Sequence, residues 1–148
     1  MAYNESDDFI GVGPYKLQKT IDIDQSYVNI YAFDAQTTKL NLLKLLRAYE
    51  LSKPILIEGP PGVGKTSLVE NLAKVSGRKL IRVNLSEQTD MMDLLGSEYP
   101  VTIKHKREQG QKQEDDDDDI RFHWCDGVLL QAIKEGHWFL IDEMNLAQ

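Results

Sequence analysis

Runs of apolar residues divide the chain into segments that predict helices and strands in alternation. The first regular segment is a helix that begins near residue 37, with Thr37 or Thr38 as its cap. Its buried face is predicted from apolar residues at i, i+3, i+4 and i+7, namely Leu42, Leu45, Leu46 and Tyr49. A second helix over residues 66–76 shows similar periodicity and stops before Gly77.

Short apolar runs around these helices predict buried strands at residues 54–58, 79–84 and 138–141. A short helix is predicted at residues 90–95. A longer one, capped by Asp126, runs to residue 135 and buries Leu129, Leu130 and Ile133. This alternation of strands and helices is typical of a parallel sheet in an α/β fold.

The remaining segments have weaker patterns. Residues 1–35, with a possible strand at residues 27–31, are interpreted as a lead-in or connector before one domain over residues 36–148. Within that domain, residues 98–121 join a basic cluster to an acidic run at residues 114–119. Like charges at this density repel and leave little to bury, so we predict a disordered insert there.

Composition narrows the class of protein. The 148 residues carry a formal net charge of −7, which disfavours general binding to nucleic acids or anionic membranes. The single cysteine, Cys125, fits a reducing compartment, and we expect its thiol to be buried or inert. The three histidines lack the spacing of a zinc site, and there is neither a signal peptide nor a membrane-length apolar run.

The turn after the first predicted strand matches the phosphate-binding pattern G-x-x-x-x-G-K-[ST]. We predict that the nucleotide is bound by Gly59, Pro60, Pro61, Gly62, Val63, Gly64, Lys65, Thr66 and Ser67. Glycines let the backbone curl around a polyphosphate, and the following helix adds the positive end of its dipole. Lys65 would pair with the β- and γ-phosphates, and the Thr66 hydroxyl would be a ligand of Mg²⁺. The predicted cofactors are therefore ATP and Mg²⁺.

The strand at residues 138–141 runs into Asp142 and Glu143, which is typical of a Walker B motif. Asp142, at the carboxyl end of a parallel strand, would help to hold Mg²⁺, usually through water. Glu143 would be the catalytic residue, because it could orient and polarise the water that attacks the γ-phosphate. A nucleotide kinase would not need this adjacent glutamate.

With these motifs in place, the chain resembles one AAA+ module of the midasin family over roughly residues 33–148. The similarity includes residues 53–59 before the loop, residues 83–90 and 92–97 after the second strand, Trp124, and residues 142–147. It implies a P-loop NTPase fold of three layers, α/β/α, and a ring of six tandem modules. It also implies a nuclear enzyme that strips assembly factors from pre-60S ribosomal particles, with the other AAA+ modules and those particles as partners.

The resemblance also implies a β-hairpin between residues 96 and 124. The family's sensor 1, arginine finger, sensor 2 and lid would all follow Gln148, so the fold is expected to be truncated after the Walker B strand. We therefore expect the chain alone to fold poorly and to hydrolyse ATP slowly or not at all. Two alternatives stay open: a MoxR-like chaperone ATPase, and a non-hydrolysing module that binds ATP as a structural ligand.

Overall fold

The computed structural model describes residues 1–20, 31–85, 90–103 and 119–144. These residues form two compact units. The first lies within Met1–Val83 and His137–Asp142, and the second within Asn84–Gly136 and Glu143–Gln148. None of the helices in the described ranges is both long enough and apolar enough to cross a bilayer.

A three-stranded antiparallel sheet opens the first unit. It consists of β1 (Tyr3–Glu5), β2 (Phe9–Val12) and β3 (Tyr15–Gln18), in the order β1-β2-β3. Ile10, Val12 and Leu17 are buried in the core of this unit. The sequence pattern predicts no strand in residues 3–18, and the possible strand at residues 27–31 falls almost entirely on residues 21–30, outside the described part.

Two helices cover the core of the first unit, α1 (Gln36–Tyr49) and α2 (Lys65–Val75). Both confirm predicted helices, and Leu42 and Leu46 of α1 pack in one cluster with Leu72 of α2. The predicted cap of α1 is wrong, because the helix begins one residue before Thr37 and Ala35 occupies the N-cap without a side-chain hydrogen bond. The apolar face, and not the cap, fixes the position of this helix.

Strands β4 (Leu80–Asn84) and β7 (Trp138–Asp142) form a two-stranded parallel sheet, as predicted. The strand predicted at residues 54–58 is wrong: these residues are irregular, and Leu56 is 70% exposed. A buried strand needs a neighbour that satisfies its backbone N–H and C=O groups. In the described part of the chain, the sheet that would receive this run contains only β4 and β7. Ile55 and Ile57 instead line an apolar cavity of about 300 Å³ beside α1 and β7.

The second unit is built on a hairpin of β5 (Gly96–Ile103) and β6 (Asp119–Asp126). The strands pair antiparallel, with Gly96 opposite Asp126 and Ser97 opposite Cys125. This confirms the hairpin that the family resemblance implies. It also changes the interpretation of residues 98–121, because both ends of this stretch are paired strands. Residues 104–118, with the acidic run to residue 118, lie outside the described part.

Two helices accompany the hairpin, α3 (Met91–Leu95) and α4 (Val128–Glu135). Asp90 and Asp93 form a capping box at the start of α3, which confirms the short helix. Asp126 does not cap α4, since Gly127 occupies the N-cap without a side-chain bond. The predicted burial of Ile133 is also wrong: Ile133 is 66% exposed, and Ala132 is the buried residue of α4.

Candidate nucleotide-binding site

The glycine-rich loop leads directly into the first turn of α2. Gly62 and Gly64 adopt left-handed backbone conformations, with φ of 78° and 81°, which an L side chain would strain. Gly64 is the N-cap of α2, and its carbonyl accepts the N–H of Leu68 at 3.0 Å. The first-turn amides of a helix have no acceptor within the helix, so they are available to an anion at this end.

Lys65 folds back over the loop. Its Nζ donates to the carbonyl of Gly59 at 2.8 Å and to that of Pro60 at 3.0 Å. Neutral carbonyls are weaker partners for an ammonium group than phosphate oxygens are. The side chain therefore lies where it could exchange these carbonyls for a polyphosphate without leaving the loop.

Thr66 and Asp142 lie together although 76 positions separate them in the chain. The Thr66 hydroxyl donates to Oδ2 of Asp142 at 3.2 Å, from the first turn of α2 to the end of β7. The two predicted magnesium ligands thus lie side by side at the carboxyl end of a parallel strand. Hydroxyl and carboxylate oxygens are the hard donors that Mg²⁺ prefers, so this donor set fits the ion.

Arg82 adds a cation that the sequence analysis did not identify. From β4, its Nη2 donates to Oδ2 of Asp142 at 2.6 Å, and its Nη1 donates to Oε1 of Glu70 at 3.0 Å. The hydrogen bond to Asp142 raises the pKa of the Arg82 guanidinium above its ordinary value, although desolvation opposes the shift. An arginine within a strand carries no functional signal by itself. Only the pairing of β4 with β7 reveals its position.

Glu143 directly follows Asp142, and its backbone is left-handed, with φ of 56°. This conformation is uncommon for a residue other than glycine and recurs at functional sites. Its side chain is exposed, as is that of Ser67, whose carbonyl accepts the side-chain amide of Asn71 at 2.7 Å. Among the described residues, Ser67 shows no contact that distinguishes it as a ligand.

Other reactive side chains show no site of their own. Cys125 is exposed on β6, so its thiol is not buried, and the alternative of an inert thiol stays a prediction. Within residues 1–20, 31–85, 90–103 and 119–144, no group of three or more His, Cys, Asp or Glu side chains could hold a metal ion. His105 lies outside these ranges.

The sequence matches a family model described as an AAA domain of the dynein-related subfamily, over residues 54–148. This chain belongs to that family. The match covers the loop, the strand with Arg82, the hairpin and the Asp142–Glu143 pair. Nucleotide binding is a general property of AAA domains.

Among curated proteins, this AAA chain is 47% identical over 117 residues to a midasin of Dictyostelium discoideum and 46% identical to one of Giardia intestinalis. Each match covers 79% of the chain but only 2% of the midasin. An uncharacterized protein of Staphylococcus aureus strain USA300 is 37% identical over 115 residues, which cover 78% of the chain and 38% of that protein. No solved structure gives a significant match. The chain is thus a midasin-like AAA module, and it spans a small fraction of the midasins' length.

Proposed function

We propose that this AAA module binds ATP together with Mg²⁺ at the loop formed by residues 59–67. The observation that carries the proposal is the 3.2 Å contact between the Thr66 hydroxyl and the Asp142 carboxylate, beside the left-handed glycines of the loop. Two oxygen ligands contributed by distant parts of the chain meet at the start of the helix that faces the phosphates. A chance glycine-rich turn would not be expected to bring a hydroxyl and a carboxylate together in this way.

The chain's own residues have distinct roles in this proposal. The amides around Gly62 and Gly64 and the first turn of α2 bind phosphate oxygens, and Lys65 neutralises the charge of the β- and γ-phosphates. Thr66 and Asp142 would hold Mg²⁺, which when bound neutralises charge that develops on the phosphates. Glu143 would orient the attacking water and polarise it.

Binding is tested by titration calorimetry with ATP and MgCl₂ in a protein that contains the complete module, because the chain alone is expected to fold poorly. We expect Lys65→Ala to weaken binding about 10- to 100-fold, because a charged hydrogen bond contributes roughly 1.5–3 kcal/mol. Lys74→Ala is the matched control, since Lys74 is an exposed lysine at the other end of the same helix. Equal weakening by both variants, or no binding by the unchanged complete module, would refute the proposal.

Hydrolysis is tested separately, in a protein that contains the complete module. We expect Glu143→Gln to retain ATP binding while phosphate release falls about 10²- to 10⁴-fold, the usual contribution of a positioned acid or base. If no phosphate is released by the unchanged protein while ATP still binds, the module is a non-hydrolysing one that uses ATP as a structural ligand.

We further propose that, in the full protein, this module works with other AAA modules in a nuclear machine that remodels pre-60S ribosomal particles. The similarity to two midasins favours this role. The test is sedimentation of the tagged full-length protein from nuclear extracts. Co-sedimentation with pre-60S particles, released by ATP, is the expected result. A protein found only in other fractions would instead favour a MoxR-like chaperone role.

A further inference from the structure

Arg82 links the proposed magnesium site to helix α2. One guanidinium nitrogen, Nη2, is 2.6 Å from Oδ2 of Asp142, and the other, Nη1, is 3.0 Å from Oε1 of Glu70. The same oxygen of Asp142 also accepts the Thr66 hydroxyl at 3.2 Å. Oδ2 of Asp142 therefore accepts hydrogen bonds both from Arg82 and from Thr66, the other predicted ligand of Mg²⁺.

Arg82 and Mg²⁺ would compete for the carboxylate of Asp142. A guanidinium stays charged at any pH that a protein tolerates, so Arg82 cannot leave Asp142 by losing its proton. Mg²⁺, or water bound to it, needs the electron pairs of the carboxylate oxygens. The Arg82 guanidinium occupies Oδ2 of Asp142, and its positive charge also repels a divalent cation.

The side chain of Arg82 is placed so that it can change its rotamer. Its side chain is 48% exposed, so a change of rotamer does not require the opening of a packed core. Glu70, with its side chain 33% exposed, already holds the other nitrogen and could retain the guanidinium after Asp142 is released. Arg82 can thus adopt two positions: in one it binds both Asp142 and Glu70, and in the other it binds Glu70 alone.

We propose that Arg82 is a counter-ion that holds Asp142 in the absence of metal and that yields this carboxylate to Mg²⁺ when the nucleotide binds. Arg82 is a positioning residue, since it acts through Asp142 and Glu70. The inference rests on the proposed binding of ATP and Mg²⁺. It predicts that Arg82 determines the Mg²⁺ midpoint, which is the Mg²⁺ concentration at which half of the metal-dependent gain in affinity for ATP is reached.

The test is the affinity of the complete module for ATP, measured by calorimetry across a series of MgCl₂ concentrations that starts from a metal-free sample with EDTA. Arg82→Gln should lower the Mg²⁺ midpoint about two- to fivefold, the range expected for a partly exposed ion pair. Glu70→Gln should raise the midpoint, because it removes the position to which the arginine retreats. Arg82→Lys keeps the charge without the forked geometry and should fall between Arg82→Gln and the unchanged chain.

The outcomes separate the two proposals. Opposite shifts of the midpoint in Arg82→Gln and Glu70→Gln would establish the counter-ion role. A purely structural arginine would change the affinities with and without metal by one common factor and leave the midpoint where it was, which would overturn the inference alone. If the unchanged complete module binds no ATP at any MgCl₂ concentration, the proposed function fails, and the inference fails with it.

Discussion

Replacement of Ile10 by alanine tests whether the amino-terminal sheet belongs to the core of the unit that contains the glycine-rich loop. Ile10 lies on β2, is 0% exposed, and belongs to the cluster that contains Leu42 of α1 and Leu72 of α2. Removing three methylene-sized groups from such a position costs the transfer free energy of those atoms plus that of the cavity left behind. The expected loss is about 2–5 kcal/mol.

Ile10→Ala would be measured by urea denaturation, with the fluorescence of Trp138 as the probe, because this side chain packs against the same cluster. A loss of about 3 kcal/mol corresponds to a fall of roughly 1–2 M in the urea midpoint for a protein of this size. Ile133→Ala is the matched control: the same chemical change at a site that is 66% exposed should stay within about 0.5 kcal/mol of the unchanged chain. Equal midpoints for the two variants would refute the assignment of the sheet to the core.

Three further predictions address individual sites. Thr66→Val should weaken Mg²⁺-dependent ATP binding at least about tenfold, since even changes to the partners of metal ligands have effects of that size. Thr66→Ser keeps the hydroxyl and should bind as the unchanged protein does. Full binding by Thr66→Val would contradict the ligand role. Gly136→Ala should lower thermal stability by about 1 kcal/mol through backbone strain alone, because Gly136 has φ of 69° and a Cβ there would meet nothing within 4 Å; an unchanged melting temperature would refute this. The hydrogen bond from Lys134, supported by one from Trp124, lowers the pKa of the Asp126 carboxyl below its ordinary 3.8. The stability that this carboxylate contributes is therefore present above pH 3.8 and is lost as the pH falls through the lower folded value; an NMR titration should show the pKa rising in Lys134→Met, and no rise would be inconsistent with the contact.

The elements around the loop could be predicted because their local signals agree. In α2, the apolar spacing, the preceding glycines and Gly77 indicate the same helix, and the structure has it within one residue at each end. The strand before Asp142 was equally clear from its run of apolar residues. The motifs assigned Thr66 and Asp142 separately to Mg²⁺, and the structure brings the two side chains together, with 3.2 Å between the hydroxyl and Oδ2.

The errors arise where a residue's environment depends on distant partners. Residues 54–58 have the composition of a buried strand, but composition does not provide the neighbour that a ladder requires. Ile133 has the spacing of a buried face, yet the packing of α4 buries Ala132 instead. Asp126 is a good cap by residue type, but its carboxylate accepts hydrogen bonds from Trp124 and Lys134.

Arg82 and the amino-terminal sheet were missed for a related reason. No periodicity distinguishes an arginine that contacts Asp142 from one that faces solvent, because the contact depends on which strands are neighbours. The three short strands of residues 3–18 contain only three or four residues each, too few for an alternating pattern to emerge. The boundary between the predicted lead-in segment and the predicted domain, at residues 35 and 36, stays a prediction.

The central claim, that the loop binds the phosphates of ATP, is tested most directly by the backbone amide NMR signals of the glycines. Addition of ATP and MgCl₂ should shift the signals of Gly62 and Gly64, which border the predicted phosphate position. Gly13 and Gly136 are internal controls, since they are also left-handed glycines but lie in the turn between β2 and β3 and at the end of α4. Shifts confined to Gly62, Gly64 and the first turn of α2 would confirm the site. Unchanged signals at Gly62 and Gly64 at saturating ATP, or shifts centred on the control glycines, would contradict it.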